Sequence, residues 1–235
     1  EISLGLVGSE MCIRDSSSTF RAMREQLQAG LSMGMAGIPW WTSDIGGFLG
    51  GQVDDPAFRE LLVRWFQWAC FCPVFRMHGE RSPWYEREQE YIGDVRQLTS
   101  GQSNEVWSFG DEVYEILRKY LFVRERMRPY IREVMRAAHE HGDPVMRPLF
   151  YGFPADKAAW SVEDEYLFGA DVLVAPVLEA GARMRDVYLP AGADWVDAAT
   201  GAEYAGGQTV RMDAPLDTIP VLIRKGSGVR VYSDD

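Results

Sequence analysis

The stretch Gly37-Ile38-Pro39-Trp40-Trp41-Thr42-Ser43-Asp44-Ile45-Gly46-Gly47-Phe48 puts two adjacent tryptophans, a carboxylate and a phenylalanine around one glycine pair. A short apolar strand ending in a carboxylate beside an aromatic plane suits sugar recognition. Sugars offer hydroxyl hydrogens to the first and C–H faces to the second. The same residues also fit a buried strand whose aspartate caps a glycine turn, and the stretch alone leaves both readings open. A second apolar run, Cys72 to Met77, reads as a buried strand that ends at His78-Gly79 and carries Arg76. That arginine suits either a carboxylate at a ligand site or a structural ion pair.

The rest of the composition favours a neutral ligand. The chain has 35 acidic against 24 basic residues, a net charge of -11 and a pI near 4.8, with the charges spread along the sequence. This balance argues against nucleic acid and anionic membranes as partners. Hydrophobic residues make up 46% and aromatic residues 12% of the 235, which is ample for a packed core. Cys12, Cys70 and Cys72 have neither a disulfide framework nor zinc spacing with the histidines. No metal and no organic cofactor is implied, and the acidic clusters Glu86 to Glu90 and Glu163 to Glu165 read as solvated. There is no apolar run of about 18 residues. Residues 1–16 lack the basic start and apolar middle of a secretion signal, so a cytoplasmic protein is expected.

Alternating elements must hold these side chains. Residues 1–16 show no helical or strand period and are set apart as a segment unmatched to the rest. From Ser17, with serines available as caps, Phe20, Met23, Leu27 and Leu31 share one helical face. Asp55-Pro56 reads as a cap and a first-turn proline, followed by Phe58, Leu61, Leu62, Trp65, Phe66 and Ala69 at helical spacing. Residues 80–104 read as a long loop, and Trp107 to His141 as a long helix that Pro129 should divide and Gly142 should end. After Pro144 the texture becomes β, with strand-like runs at Asp171 to Val177, Arg185 to Leu189, Gln208 to Met212 and Thr218 to Arg224. The first part is alternating α/β, as in a parallel sheet or barrel. Its roughly 125 residues fall short of the roughly 250 of an eight-unit barrel, so it is a small open sheet or the tail of a larger barrel.

The ordered motifs resolve that choice by resemblance. Ser18-Thr19-Phe20, Gly37 to Phe48, Arg64-Trp65-Phe66-Gln67-Trp68 and Phe75-Arg76-Met77-His78-Gly79 are similar to glycoside hydrolase family 31, the retaining α-glucosidases and α-xylosidases. So are Asn104 to Gly110, Met127-Arg128-Pro129-Tyr130, Pro144 to Phe150, Phe168 to Asp171 and Val174 to Val177. Several motifs in order across residues 17 to 226 are far more specific than any one of them. The resemblance implies an α/β fold: the C-terminal portion of a TIM (β/α)8 barrel over 17–142, followed by an antiparallel β-sandwich over 143–235. It also implies a small-molecule or oligosaccharide α-glycoside as substrate.

Site residues follow from the same resemblance. Asp15 falls at the family's acid/base position, although Arg14 stands where the pattern has glycine. Asp44 and His78 match residues that contact hydroxyls of the sugar whose bond breaks; Arg76 is a candidate to pair with a neighbouring carboxylate, with a structural ion pair inside the barrel as the other reading. Phe48 and Trp41 are candidates for the apolar wall of the subsite, while Trp40, Trp65 and Trp68 are assigned to packing. The family carries its nucleophile in a Trp-x-Asp-x-Asn-Glu type motif, which this sequence lacks, so the chain alone is expected to be inactive.

Overall fold

The structure is a computed structural model that describes residues 17–79, 81, 91–92, 95–96 and 102–232. Helix α1 spans Phe20–Met35 and buries Met23, Leu27 and Leu31, as the period predicts. Its cap is Thr19, not one of the serines: Thr19 Oγ1 accepts from Ala22 N at 3.1 Å. Helix α2, Pro56–Ala69, starts on Asp55, whose Oδ1 accepts from Ala57 N at 2.9 Å. The helix buries nearly every side chain from Leu61 onward, including Arg64 and Gln67. From Leu61 onward the helix is therefore packed on every side, and its two polar side chains there are buried with the rest.

The two apolar stretches expected as strands, 37–48 and 72–77, run past each other without a full ladder. Val74 N donates to Trp41 O at 3.1 Å, and Ser17 forms an isolated parallel bridge with Leu49. A barrel strand takes its ladder from neighbours on both sides. The residues ahead of Ser17 lie outside the described set. Within the expected long loop the described residues include a short hairpin, β1 (Tyr91–Ile92) paired with β2 (Val95–Arg96). The long helical pattern divides at Met127 into α3 (Asp111–Arg126) and α4 (Arg128–His141), with Pro129 in the first turn of α4. Gly142 then ends α4 with a φ of 75°, a left-handed conformation that an L side chain resists.

The β part contains more strands than the periodicity indicated. A six-stranded antiparallel sheet has the order β3-β4-β5-β10-β7-β8. Its strands are β3 (Met146–Arg147), β4 (Tyr166–Phe168), β5 (Val172–Val174), β7 (Trp195–Asp197), β8 (Glu203–Tyr204) and β10 (Val221–Arg224). The long pair β6 (Met184–Leu189) and β9 (Gln208–Asp213) forms a second sheet. β3, β4, β7 and β8 escape sequence reading because two or three residues are too few to display a period of two. Between β3 and β4 lie the one-turn helix α5 (Leu149–Gly152) and a 3₁₀ turn at Ala158–Ser161.

The central sheet is covered on both faces. Tyr166, Phe168, Val172, Val174 and Val221 face the helices and join their core, while Leu167, Leu173 and Leu222 face Val187, Leu189 and Met212 of the second sheet. A strand buried on both faces reads as continuously apolar, which is why Val172–Val174 shows no alternation.

The two parts are joined by polar anchors as well as by a common core. Arg64, 1% exposed, sends its guanidinium from α2 into the β part. Nη1 donates to Pro215 O and Thr218 O at 3.0 and 2.8 Å, and Nη2 donates to Ala182 O and Ala214 O at 3.0 and 2.7 Å. Gln67 Nε2 adds a bond to Leu216 O at 2.7 Å. Tyr166 OH reaches back to Phe71 O at 2.7 Å, and Tyr130 OH to Phe168 O at 2.7 Å.

Candidate functional site

Burial along residues 40–45 alternates as in an extended strand. Trp41, Ser43 and Ile45 are buried on the helix side; Trp40 and Asp44 lie on the other. Helices fix the buried face. Gly30 of α1 leaves room for the Trp41 indole, which an added Cβ would meet at 2.7 Å. Trp65 Nε1 of α2 donates to Ser43 Oγ at 2.9 Å. Trp41 is therefore not on the face that carries Asp44, which corrects its assignment to the apolar wall. Positions three apart on a strand point to opposite sides. Of the two adjacent tryptophans it is Trp40 that is exposed, at 66%, where packing was expected.

The second stretch is held by α3. Arg124 donates from Nη1 to Cys70 O and Cys72 O at 2.8 and 2.7 Å, and from Nη2 to Pro73 O at 2.8 Å. Phe75 turns inward against Phe66, with ring centroids 4.7 Å apart, so Arg76 and His78 emerge on the outer face. Cys70 and Cys72 are buried here, and burial pushes the Cys70 thiol up to about 12 and raises that of Cys72 as well. Neither should react with a disulfide reagent at pH 8 in the folded protein. Both should react after denaturation, as counted by thiol titration, and rapid native labelling of either would contradict this placement.

The two stretches meet at their tips. Arg76 Nη2 donates to Asp44 Oδ1 at 2.5 Å, an ion pair whose carboxylate side chain is 11% exposed and whose guanidinium side chain is 47% exposed. The Phe48 and His78 rings lie 5.4 Å apart with their planes tilted by 45°. Four of the expected site residues, Asp44, Phe48, Arg76 and His78, are thus brought to one tip. Asp15 lies outside the described residues.

Sequence reading missed Arg81. It is 1% exposed, and Nη1 donates to Gly47 O, Gly50 O and Phe48 O at 2.8, 3.1 and 3.5 Å, while Nη2 donates to Ile45 O at 3.1 Å. Its Cζ also stands 4.8 Å from the Phe58 ring centroid. Burial pushes the guanidinium down to about 10, and the nearby charge of Asp44 opposes that shift. The available signal was indirect: the doublets Gly46-Gly47 and Gly50-Gly51 all take positive φ and turn carbonyls toward one point.

The arrangement offers a carboxylate, a guanidinium, an imidazole and an aromatic ring, which are groups for neutral hydroxylated ligands. Among the described residues no cluster of three or more His, Cys, Asp or Glu side chains is placed to hold a metal ion. No helix among them is long and apolar enough to cross a membrane.

The sequence model of the glycosyl hydrolases family 31 TIM-barrel domain matches residues 13–134, a span that takes in Asp15, and that of the family 31 C-terminal domain matches 142–229. A solved GH31 α-xylosidase from a soil metagenome, complexed with xylose, is 57% identical. It superposes with a TM-score of 0.84 over 90% of this chain and 31% of its own. The α-xylosidase of Saccharolobus solfataricus is 34% identical over 91% of this chain and 26% of its own length. The α-glucosidase 2 of Bacillus thermoamyloliquefaciens is 34% identical over 92% and 24%. The chain therefore spans about a quarter of the length of these two relatives. With both family models matched in order on part of a barrel and an antiparallel β domain, the chain belongs to glycoside hydrolase family 31, a family of hydrolases acting on O-glycosyl bonds.

Proposed function

We propose that this chain supplies part of the subsite that grips the sugar undergoing cleavage in a retaining α-glycosidase acting on α-linked xylosides or glucosides. The observation that carries this reading is the meeting of Asp44, Arg76, His78 and Phe48 at the tips of two adjacent extended segments. In parallel barrels the C-terminal strand ends form the active site. The ion pair with Arg76 fixes the Asp44 carboxylate, leaving its second oxygen to accept from a sugar hydroxyl. His78 offers a ring nitrogen to a neighbouring hydroxyl, and Phe48 backs the apolar C–H face.

Retention requires two carboxyl groups about 5 to 5.5 Å apart on either side of the scissile bond. A carboxylate attacks the anomeric carbon as the acid, here Asp15, protonates the departing oxygen. Water then attacks the glycosyl-enzyme at the same carbon, giving its proton back to Asp15 and releasing the nucleophile. The attacking carboxylate comes from outside these 235 residues, since the family's nucleophile motif is not in the sequence.

The test uses chromogenic α-xylosides and α-glucosides with two preparations, the complete protein and the 235-residue chain alone. Turnover by the first and none by the second is expected. Turnover by the isolated chain would overturn the assignment of the nucleophile. A complete protein that binds xylose but hydrolyses neither substrate would make this a non-catalytic carbohydrate-binding relative.

A further inference from the structure

We propose that Arg81 is a positioning residue for the sugar subsite: it acts through the backbone of residues 45–50 to set Asp44 and Phe48 against Arg76 and His78. The proposal rests on the reading of that tip as the sugar subsite.

The argument begins with the glycines. Gly46, Gly47, Gly50 and Gly51 have φ of 83°, 80°, 87° and 77°, so the chain after Asp44 is wound through conformations that other residues resist. The consequence is that the carbonyls of Ile45, Gly47, Phe48 and Gly50 converge on one buried spot. Four converging acceptors away from water would repel one another and remain unpaired, at about 1–3 kcal/mol each. A planar guanidinium, with donors spread in a fork, is the side chain that matches them all at once.

The same group is locked to the second segment. A Cβ on Gly79, the residue after His78, would meet Arg81 Nη1 at 2.8 Å and Gly47 O at 2.9 Å. A Cβ on Gly46 would meet Arg81 Nη2 at 3.0 Å and Leu62 at 2.9 Å. The turn bearing Phe48, the tip bearing His78 and helix α2 therefore close on one guanidinium without spare room. Phe58 of α2 lies under its face. Asp44 directly precedes the clamped turn, and Gly47 N donates to Asp44 O at 2.9 Å, so a shift of the turn moves the carboxylate with it.

The experiment compares wild type, R81K and R81M in the complete protein, by steady-state hydrolysis of the chromogenic substrates and by hydrogen exchange of residues 44–50. R81M should lower kcat/KM about thirtyfold or more and speed exchange in 44–50 while leaving β4, β5 and β10 unchanged. R81K keeps the charge with fewer donors and should recover part of both losses. Added xylose should protect 44–50 in wild type and not in R81M. A merely structural role would instead accelerate exchange throughout and would not show this selective loss of protection. Unchanged exchange at 44–50 in R81M would overturn the clamp. Faster exchange there with unchanged kcat/KM would overturn its coupling to the subsite. Should wild type hydrolyse neither substrate, the proposed function fails, while exchange and xylose protection still decide the role of Arg81.

Discussion

Replacing Asp44 by asparagine is expected to lower kcat/KM of the complete enzyme roughly a hundredfold while changing its stability little. Charge-assisted hydrogen bonds contribute about 1.5–3 kcal/mol each, and each 1.4 kcal/mol is a factor of ten in rate. Asparagine keeps the shape and can still accept from Arg76 through its carbonyl oxygen. It then turns an amide, which donates, toward the place where a sugar hydroxyl needs an acceptor. The stability effect should be small because Arg76 is about half exposed, and ion pairs open to water contribute only about 0–1 kcal/mol. Glutamate at the same position should not rescue activity, since the extra methylene displaces the carboxylate from Arg76 and from the ligand. Steady-state kinetics beside thermal denaturation separates the two quantities. A D44N enzyme with near-normal kcat/KM would remove Asp44 from the site, and equal loss of activity and stability would return it to the role of a turn cap.

Replacing Arg64 by methionine should produce the opposite pattern, a loss of stability that reaches the site only indirectly. Methionine fills much of the same volume, yet it leaves the carbonyls of Ala182, Ala214, Pro215 and Thr218 without the donors they have now. A buried acceptor left unpaired costs about 1–3 kcal/mol, so losing the donor to all four should cost about 3 kcal/mol or more. At about 2–4 °C per kcal/mol for a unit of this size, the transition should fall by about 6 °C or more. Burial pushes the Arg64 guanidinium down to about 10, so the group is charged at neutral pH and its bonds are charge-assisted. Lysine, which cannot reach all four acceptors, should give an intermediate loss. Hydrogen exchange should rise first at 214–219, where the segment also hangs on Gln67 and Tyr120. A transition within about 2 °C of wild type would show that the polar anchors contribute little and that the apolar contacts hold the two parts together.

These two arginines illustrate where sequence reading stopped. Both sit in segments whose elements were legible: Arg64 in a helix marked by Asp55-Pro56 and a dense apolar stripe, Arg81 just beyond the His78-Gly79 turn. Neither role was legible, because their partners are main-chain carbonyls, which every residue carries and which leave no trace in residue type. The 64–218 bond, moreover, spans 154 residues. The helix divisions at Met127 and Gly142 were readable for the contrary reason, since proline and glycine act on their own backbone. Strands of two or three residues were not, because pairing rather than pattern defines them.

The candidate site divides along the same line. By themselves the residues determined the family, the alternating α/β part followed by a β part, and the candidates Asp44, Phe48, Arg76 and His78. These depend on motif order and on local propensity, which are properties of the chain. Tertiary structure decided which of two adjacent tryptophans is buried, that Asp44 and Arg76 meet at 2.5 Å across 32 residues, and that Arg81 ties the two tips together. Facing direction depends on which side of a strand the helices pack, and an ion pair depends on two segments ending at the same height. Neither condition exists until α2 has laid one stretch beside the other.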